Sequence, residues 1–164
     1  MRLIPVLAAL VLTATAAHAQ APVATDLKDG AGKTLGTVTL TEAPKGVLIK
    51  IEVAGGLAHG WHGLHIHEKA DCSAADFTSA GGHTHPGGER VHGLLNPKAS
   101  ETGDLPNLYV GGQGGAAEVF TTLTTLRALR DADGSAIVVH ANADDHRAQP
   151  IGGAGARVAC AVVR

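Results

Sequence analysis

The chain has 164 residues, enough for one domain with a self-sufficient core, and its formal charge of −2 is too small to draw nucleic acid or an anionic membrane. Its aromatic side chains are confined to Trp61, Phe77, Tyr109 and Phe120, so a core has to be assembled from Val, Leu, Ile and Ala, and its 22 glycines favour turns and loops over long helices.

The opening segment, MRLIPVLAALVLTATAAHAQ, differs in kind from the rest of the chain. Arg2 starts it with positive charge, an apolar run follows, and Ala17-His18-Ala19 has the small-x-small pattern of a signal-peptidase site. This predicts a signal peptide over residues 1–19, cut after Ala19, and a single domain over 20–164. The run is too short, and too interrupted by Pro5 and threonines, to read as a membrane anchor, and no cysteine near the cut offers a lipid attachment point. The expected location is therefore the periplasm or the exterior, with no membrane attachment after cleavage.

In the remainder, VLIKIEV over 47–53 places apolar residues at every second position with Lys50 and Glu52 between them, the alternation of a half-buried strand. Similar segments fall at 22–28, 35–41, 62–67, 116–121, 136–140 and 157–163, separated by turn chemistry at Asp29-Gly30, Pro44-Lys45-Gly46, Gly111-Gly112 and Asp133-Gly134. The pattern predicts an all-β sandwich or barrel. TTLTTLRALRDADG reads equally well as helix or strand, and residues 68–108, rich in Gly, Pro, Ser and Asp, read as one long irregular segment of the kind that carries function. Cys72 and Cys160 are the only cysteines, and in an oxidising compartment they predict one disulfide, tying the segment after residue 67 to the last strand.

The histidines carry the chemistry. His65 and His67 alternate with Ile66 in an extended segment, so their imidazoles share a face. His83 and His85 repeat the spacing, His92 comes next in the same irregular segment, and His140 ends the strand at 136–140. A nitrogen-rich set without free thiolate suits copper or zinc. The dinuclear zinc hydrolase motif H-x-H-x-D-H is not met, because Lys69 stands where its acid belongs.

Six stretches in this order, GLHIHEKADC, SAGGHTHP, VHGLLNP, GDLPNL, DADGSAIVVHANADD and PIGGAGARVACAVV, resemble those of the copper–zinc superoxide dismutases, in their exported bacterial branch. The resemblance implies an eight-stranded Greek-key β-barrel of immunoglobulin-like sandwich architecture, with two long active-site loops, holding one copper and one zinc per chain. It implies conversion of superoxide to O2 and hydrogen peroxide. The copper ligands would be His65, His67, His83 and His140. Zinc would share His83 as a bridge and add His92 and Asp104. Asp144 would link His65 to His92 from behind, Arg157 would dock the superoxide anion, and His83 would also carry a proton. Monomer and homodimer both stay open, and an exported copper-binding or buffering protein with little turnover is the alternative on the same scaffold. Arg157 favours the enzyme, since a metal store has no use for an anion anchor.

The sequence departs from the family at the zinc half. The third zinc histidine expected just before GDLP is Glu101 here. Glu101 itself, or His85, would complete the zinc set; otherwise Glu101 is merely solvated and zinc binding is weak. The anion-guiding segment HRAQPIGGAGAR has Arg147 as its one cation before Arg157, with Lys69 and Lys98 as further contributors or plain solubilising charges. His59, His62 and His146 match no family role and read as exposed or internally hydrogen-bonded. Trp61 and Tyr109 read as packing residues, and the glycines at 152, 153 and 155 as turn formers rather than a phosphate cradle.

Overall fold

The computed structural model describes residues 21–164, and the leader expected over 1–19 lies outside the described residues. Eight strands, β1 (Val23–Lys28), β2 (Thr34–Ala43), β3 (Gly46–Val53), β4 (Gly60–His67), β5 (Asp104–Gly111), β6 (Gly114–Thr121), β7 (Ser135–His140) and β8 (Arg157–Val163), close into an antiparallel barrel. Their order around the barrel is β1-β2-β3-β6-β5-β4-β7-β8, so β3 pairs with β6 and β4 with β7, the crossed connections of a Greek key. Two long loops, 68–103 between β4 and β5 and 141–156 between β7 and β8, complete the expected architecture.

Alternation places the core. In β3, Val47, Ile49, Ile51 and Val53 are buried while Lys50 and Glu52 are exposed, and the inward residues of the other strands join them around Leu27, Leu40, Leu64, Ile66, Ile137 and Val139. A smaller cluster lies on the outside of β7 and β8, where Phe77, Ala80 and Cys72 of the first loop pack on Ala136, Val138 and Cys160. Cys72 and Cys160 are disulfide-bonded, so the loop is both covalently and apolarly fastened to the barrel wall.

Two segments differ from the sequence reading. The irregular segment ends at Gly103 rather than Leu108, because DLPNLYVG is strand β5. Its Asp, Pro and Asn look like turn residues, yet Leu105, Leu108 and Val110 are buried in the core, and pairing with β4 overrides the local signal. Pro106, which has no N–H to give, falls where the β4–β5 register slips between the pairs Leu64↔Leu105 and His62↔Leu108. TTLTTLRALRDADG is loop around a single helical turn, α1 (Leu126–Leu129), whose Thr125 side chain accepts from the Ala128 N–H while Leu126 and Leu129 enter the core.

Gly63 governs how the second loop lies on the barrel. It sits at the β4 irregularity and its N–H donates to the Asn142 carbonyl at 2.8 Å, and a Cβ there would approach the Ala154 Cβ to 2.7 Å. The absent side chain lets 141–156 pack directly on β4, over His65.

Candidate metal centre

His65 and His67 lie on the face of β4 opposite the core residues Leu64 and Ile66, and His140 extends the outward row of Ala136 and Val138 on the neighbouring β7. His83 comes from the first loop, which an isolated antiparallel bridge to His67 holds against β4. The four are buried and can each offer one nitrogen within 4.8 Å of the others.

Each imidazole is oriented by its other nitrogen. His67 Nδ1 donates to the Gly81 carbonyl at 2.9 Å, His140 Nδ1 to the Gly155 carbonyl at 3.0 Å, and His65 Nε2 to Asp144 Oδ2 at 2.8 Å. His83 Nδ1 meets Glu101 Oε2 at 2.7 Å and Asp104 Oδ1 at 3.1 Å. What remains is His65 Nδ1, His67 Nε2, His83 Nε2 and His140 Nε2, four buried nitrogens without a hydrogen-bond partner among the described residues. Burying one unpaired polar atom costs about 1–3 kcal/mol, so four converging in one cluster need a shared partner, and neutral imidazoles suit a copper ion. Burial disfavours the charged ring, pushing His67 down to about 2 and His140 down to about 3 and lowering His65 as well, which keeps these rings neutral and ready to donate lone pairs.

The second set lies on the far nitrogen of His83. His92 Nδ1 is 3.2 Å from Glu101 Oε2 and 2.9 Å from Asp104 Oδ1, facing the same two carboxylates as His83 Nδ1. Four tetrahedral donors around zinc stand about 3.3 Å apart, close to these spacings. His65 also reaches within 4.8 Å of His83, His92 and Asp104, but its Nε2 is committed to Asp144 and its Nδ1 belongs to the four-histidine cluster, so Glu101 is the better fourth member. Glu101 is buried, not solvated. His85 is half-buried, outside both groups, and its Nδ1 accepts from the Gly87 N–H at 3.1 Å.

The electrostatics fit a cation here. Burial opposes protonation of His92, but Asp104, Asp144 and Glu101 overcome it and hold the ring up at about 11; His83 is raised against the same penalty by Asp104 and Glu101. Conversely, and again against burial, His83 and His92 hold Glu101 and Asp104 below the usual carboxylate range, as His65 and His92 do for Asp144. Three carboxylates around two imidazoles require positive charge at the centre. A divalent zinc would supply it, with both Nδ1 lone pairs as ligands.

Asp144 connects the halves, with Oδ2 on His65 Nε2 and Oδ1 accepting from His92 Nε2 at 3.1 Å. It is held in turn by Asn107, whose carboxamide pairs with both the N–H and the carbonyl of Asp144 at 2.9 Å. Gln149 braces His92 in the same way, accepting from its N–H at 2.9 Å and donating to its carbonyl at 2.8 Å. Neither brace is marked in the sequence, where 37 and 57 residues separate the partners. Arg157, at the start of β8, donates through Nη1 to the Phe77 carbonyl and through Nη2 to the Gly81 carbonyl, both at 2.6 Å, and lines a cavity of about 200 Å³ with His67, His83 and His140.

The Copper/zinc superoxide dismutase (SODC) family profile matches residues 34–163. The chain belongs to the copper/zinc superoxide dismutase family. A superoxide dismutase [Cu-Zn] from Caulobacter vibrioides is 57% identical over 145 residues, covering 84% of this chain and 83% of that protein. A second relative so named, from Aquifex aeolicus, is 38% identical and covers 81% of each chain. Among solved structures, the Cu/Zn superoxide dismutase from Brucella abortus superposes with a TM-score of 0.73 at 30% identity, covering 88% of this chain and 100% of that one. A double mutant of a SOD-like protein from Bacillus subtilis gives 0.74 at 36% identity, covering 85% and 95%. For a dismutase of this family, the remaining histidines have quiet roles. His62 bonds the His140 and Ala58 carbonyls at 2.7 and 2.9 Å, His59 is exposed, and His146 packs beside Asp144 and Asn107. Trp61 and Tyr109 are not core residues. They are 57% and 51% exposed and pack on each other across β4 and β5, ring centroids 5.0 Å apart.

Proposed function

We propose that this chain converts superoxide to O2 and hydrogen peroxide with copper held by His65, His67, His83 and His140, and zinc held by His83, His92, Glu101 and Asp104. The observation that carries the copper assignment is the set of four buried, unpartnered imidazole nitrogens. Bound copper supplies a one-electron couple, through which one superoxide is oxidised to O2 and a second reduced to peroxide. Around it, Arg157 receives the anion, its guanidinium oriented by the Phe77 and Gly81 carbonyls. His83 Nε2 faces the cluster and would supply one of the two protons that peroxide requires, while Nδ1, on the side of Glu101 and Asp104, would be held as a zinc ligand. Asp144 keeps His65 and His92 turned toward their respective ions. An anion anchor beside the cluster favours turnover over copper storage. The leader supports export to the periplasm, where superoxide, a charged species, would be met on the side where it arises.

The test is superoxide decay by the chain from Gln20, disulfide formed, loaded with one equivalent of copper, with and without zinc. Decay no faster than free-copper controls in both would overturn the dismutase reading. Glu101→Ala is expected to lower zinc occupancy and weaken zinc binding by more than about tenfold, with a smaller effect on rate, because an oxygen ligand goes while copper's four nitrogens remain. Wild-type zinc content in that variant would remove Glu101 from the ligand set. Asp144→Ala is expected to weaken zinc binding by about 10- to 100-fold and also disturb copper, since it frees His65 and His92 together; chelator competition for each metal reads both effects.

A further inference from the structure

Arg157 is not the only guanidinium lining the cavity beside the four-histidine cluster: Arg90, from the first loop, lines it as well. Its Nη2 donates to Glu68 Oε2 at 2.7 Å, and its side chain is 42% exposed, facing solvent and cavity together. The pair has a made bed. A Cβ on Gly82 would collide with Arg90 Nη1, and one on Gly81 would lie 2.7 Å from Glu68 Cγ and Oε1. The Gly81 carbonyl also accepts from Arg157 Nη2 and His67 Nδ1, so one short segment touches Glu68, Arg90, Arg157 and His67. Among the described residues the second loop brings no cation to the cavity before Arg157, since Arg147 is not in its lining and directs Nη1 to the Leu95 carbonyl at 3.4 Å.

We infer that Arg90 is a second anion-receiving residue of this site, drawing superoxide into the cavity ahead of Arg157, with Glu68 fixing its direction and attenuating its field. The inference rests on the dismutase reading. No motif of the six marks Arg90, and the only sequence signal is a cation two residues before His92. A fixed charge at the entrance of a charged, walled cavity raises the encounter rate with an anion, and the gain fades with salt.

The test compares the copper- and zinc-loaded wild-type protein with Arg90→Gln, Glu68→Gln and, as a charge control in the β2–β3 turn, Lys45→Gln. Arg90→Gln is expected to lower kcat/KM roughly two- to fivefold at low ionic strength, a deficit that closes as salt rises, and Glu68→Gln to raise it by a similar factor. Azide, a stable monoanion titrated against the optical spectrum of the copper(II) protein, should bind more weakly to the first variant and more tightly to the second, with Lys45→Gln unchanged in both readouts. If both variants slow the enzyme alike with unchanged azide affinity, the ion pair is a loop brace and the inference falls; rates and affinities equal to wild type overturn it too. A wild-type protein that fails to dismutate superoxide would overturn the functional reading instead, and the azide series would still decide Arg90.

Discussion

His140→Ala is expected to abolish superoxide dismutation, by more than about 100-fold, and to leave the barrel folded. Outer partners of a metal ligand are worth 10- to 100-fold in affinity or activity, and His140 is closer in than these, contributing one of only four converging nitrogens. The fold has little to lose. The β7 ladder to β4 and β8 is made by backbone, the His140 carbonyl keeps its bond from His62, and the side chain gives up one hydrogen bond, to Gly155, together with an unsatisfied buried nitrogen. Removing a polar atom that has no partner offsets part of the lost packing. Copper content, superoxide decay and the melting temperature of the metal-free protein check the expectation together. Full activity at wild-type copper content would show that three imidazoles suffice and would displace His140 from the ligand set.

How much of the fold was legible in the sequence depends on where each signal resides. Seven strands were readable, most plainly VLIKIEV, whose inward and outward residues differ in polarity, whereas β7 is buried along its whole length and shows instead as a short apolar run after the Asp133-Gly134 turn. Strand β5 was not, because its pairing with β4 and the burial of Leu105, Leu108 and Val110 are tertiary facts, while Asp104, Pro106 and Asn107 send the local signal of a turn. At the site, the histidine spacings marked which residues to gather, and the structure brings together His65, His67, His83 and His140, and around His83 also His92, Glu101 and Asp104. The choice between Glu101 and His85 was open in the sequence because both lie in the same irregular loop. Only the loop's path decides that Glu101 turns inward, 2.7 Å from His83, while His85 bonds its own neighbour Gly87. Long-range braces such as Asn107 and Gln149, and the cavity position of Arg90, have no periodicity or spacing to announce them. Trp61 and Tyr109 do pack, as the sequence suggests, but on each other across β4 and β5 at the outer surface, a cross-strand partnership that local sequence does not show.

Opening the Cys72–Cys160 bond is expected to cost the metal-free protein roughly 4 to 5 kcal/mol, since it closes a loop of 88 residues in sequence separation. For a domain of this size that corresponds to a fall in melting temperature of roughly 10 to 15 °C. Metal-free protein is the right substrate for the measurement, because ligand binding to the folded state adds its own stabilisation and would mask the difference. The consequence reaches the site along a short path. The bond and the Phe77 cluster fasten the loop to β7 and β8, and that same loop presents the Phe77 and Gly81 carbonyls that orient Arg157 and the Gly81 carbonyl that orients His67. Loosening it should therefore lower kcat/KM in the reloaded Cys72→Ser/Cys160→Ala protein more than it lowers copper content, because Arg157 loses both its anchors while three of the four imidazoles stand on strands β4 and β7 and only His83 comes from the loop. Melting curves of oxidised and thiol-reduced wild-type protein check the stability claim without any substitution. A shift of less than a few degrees would mean that the apolar cluster alone holds the loop, and that Arg157 owes its position to packing rather than to the covalent tie.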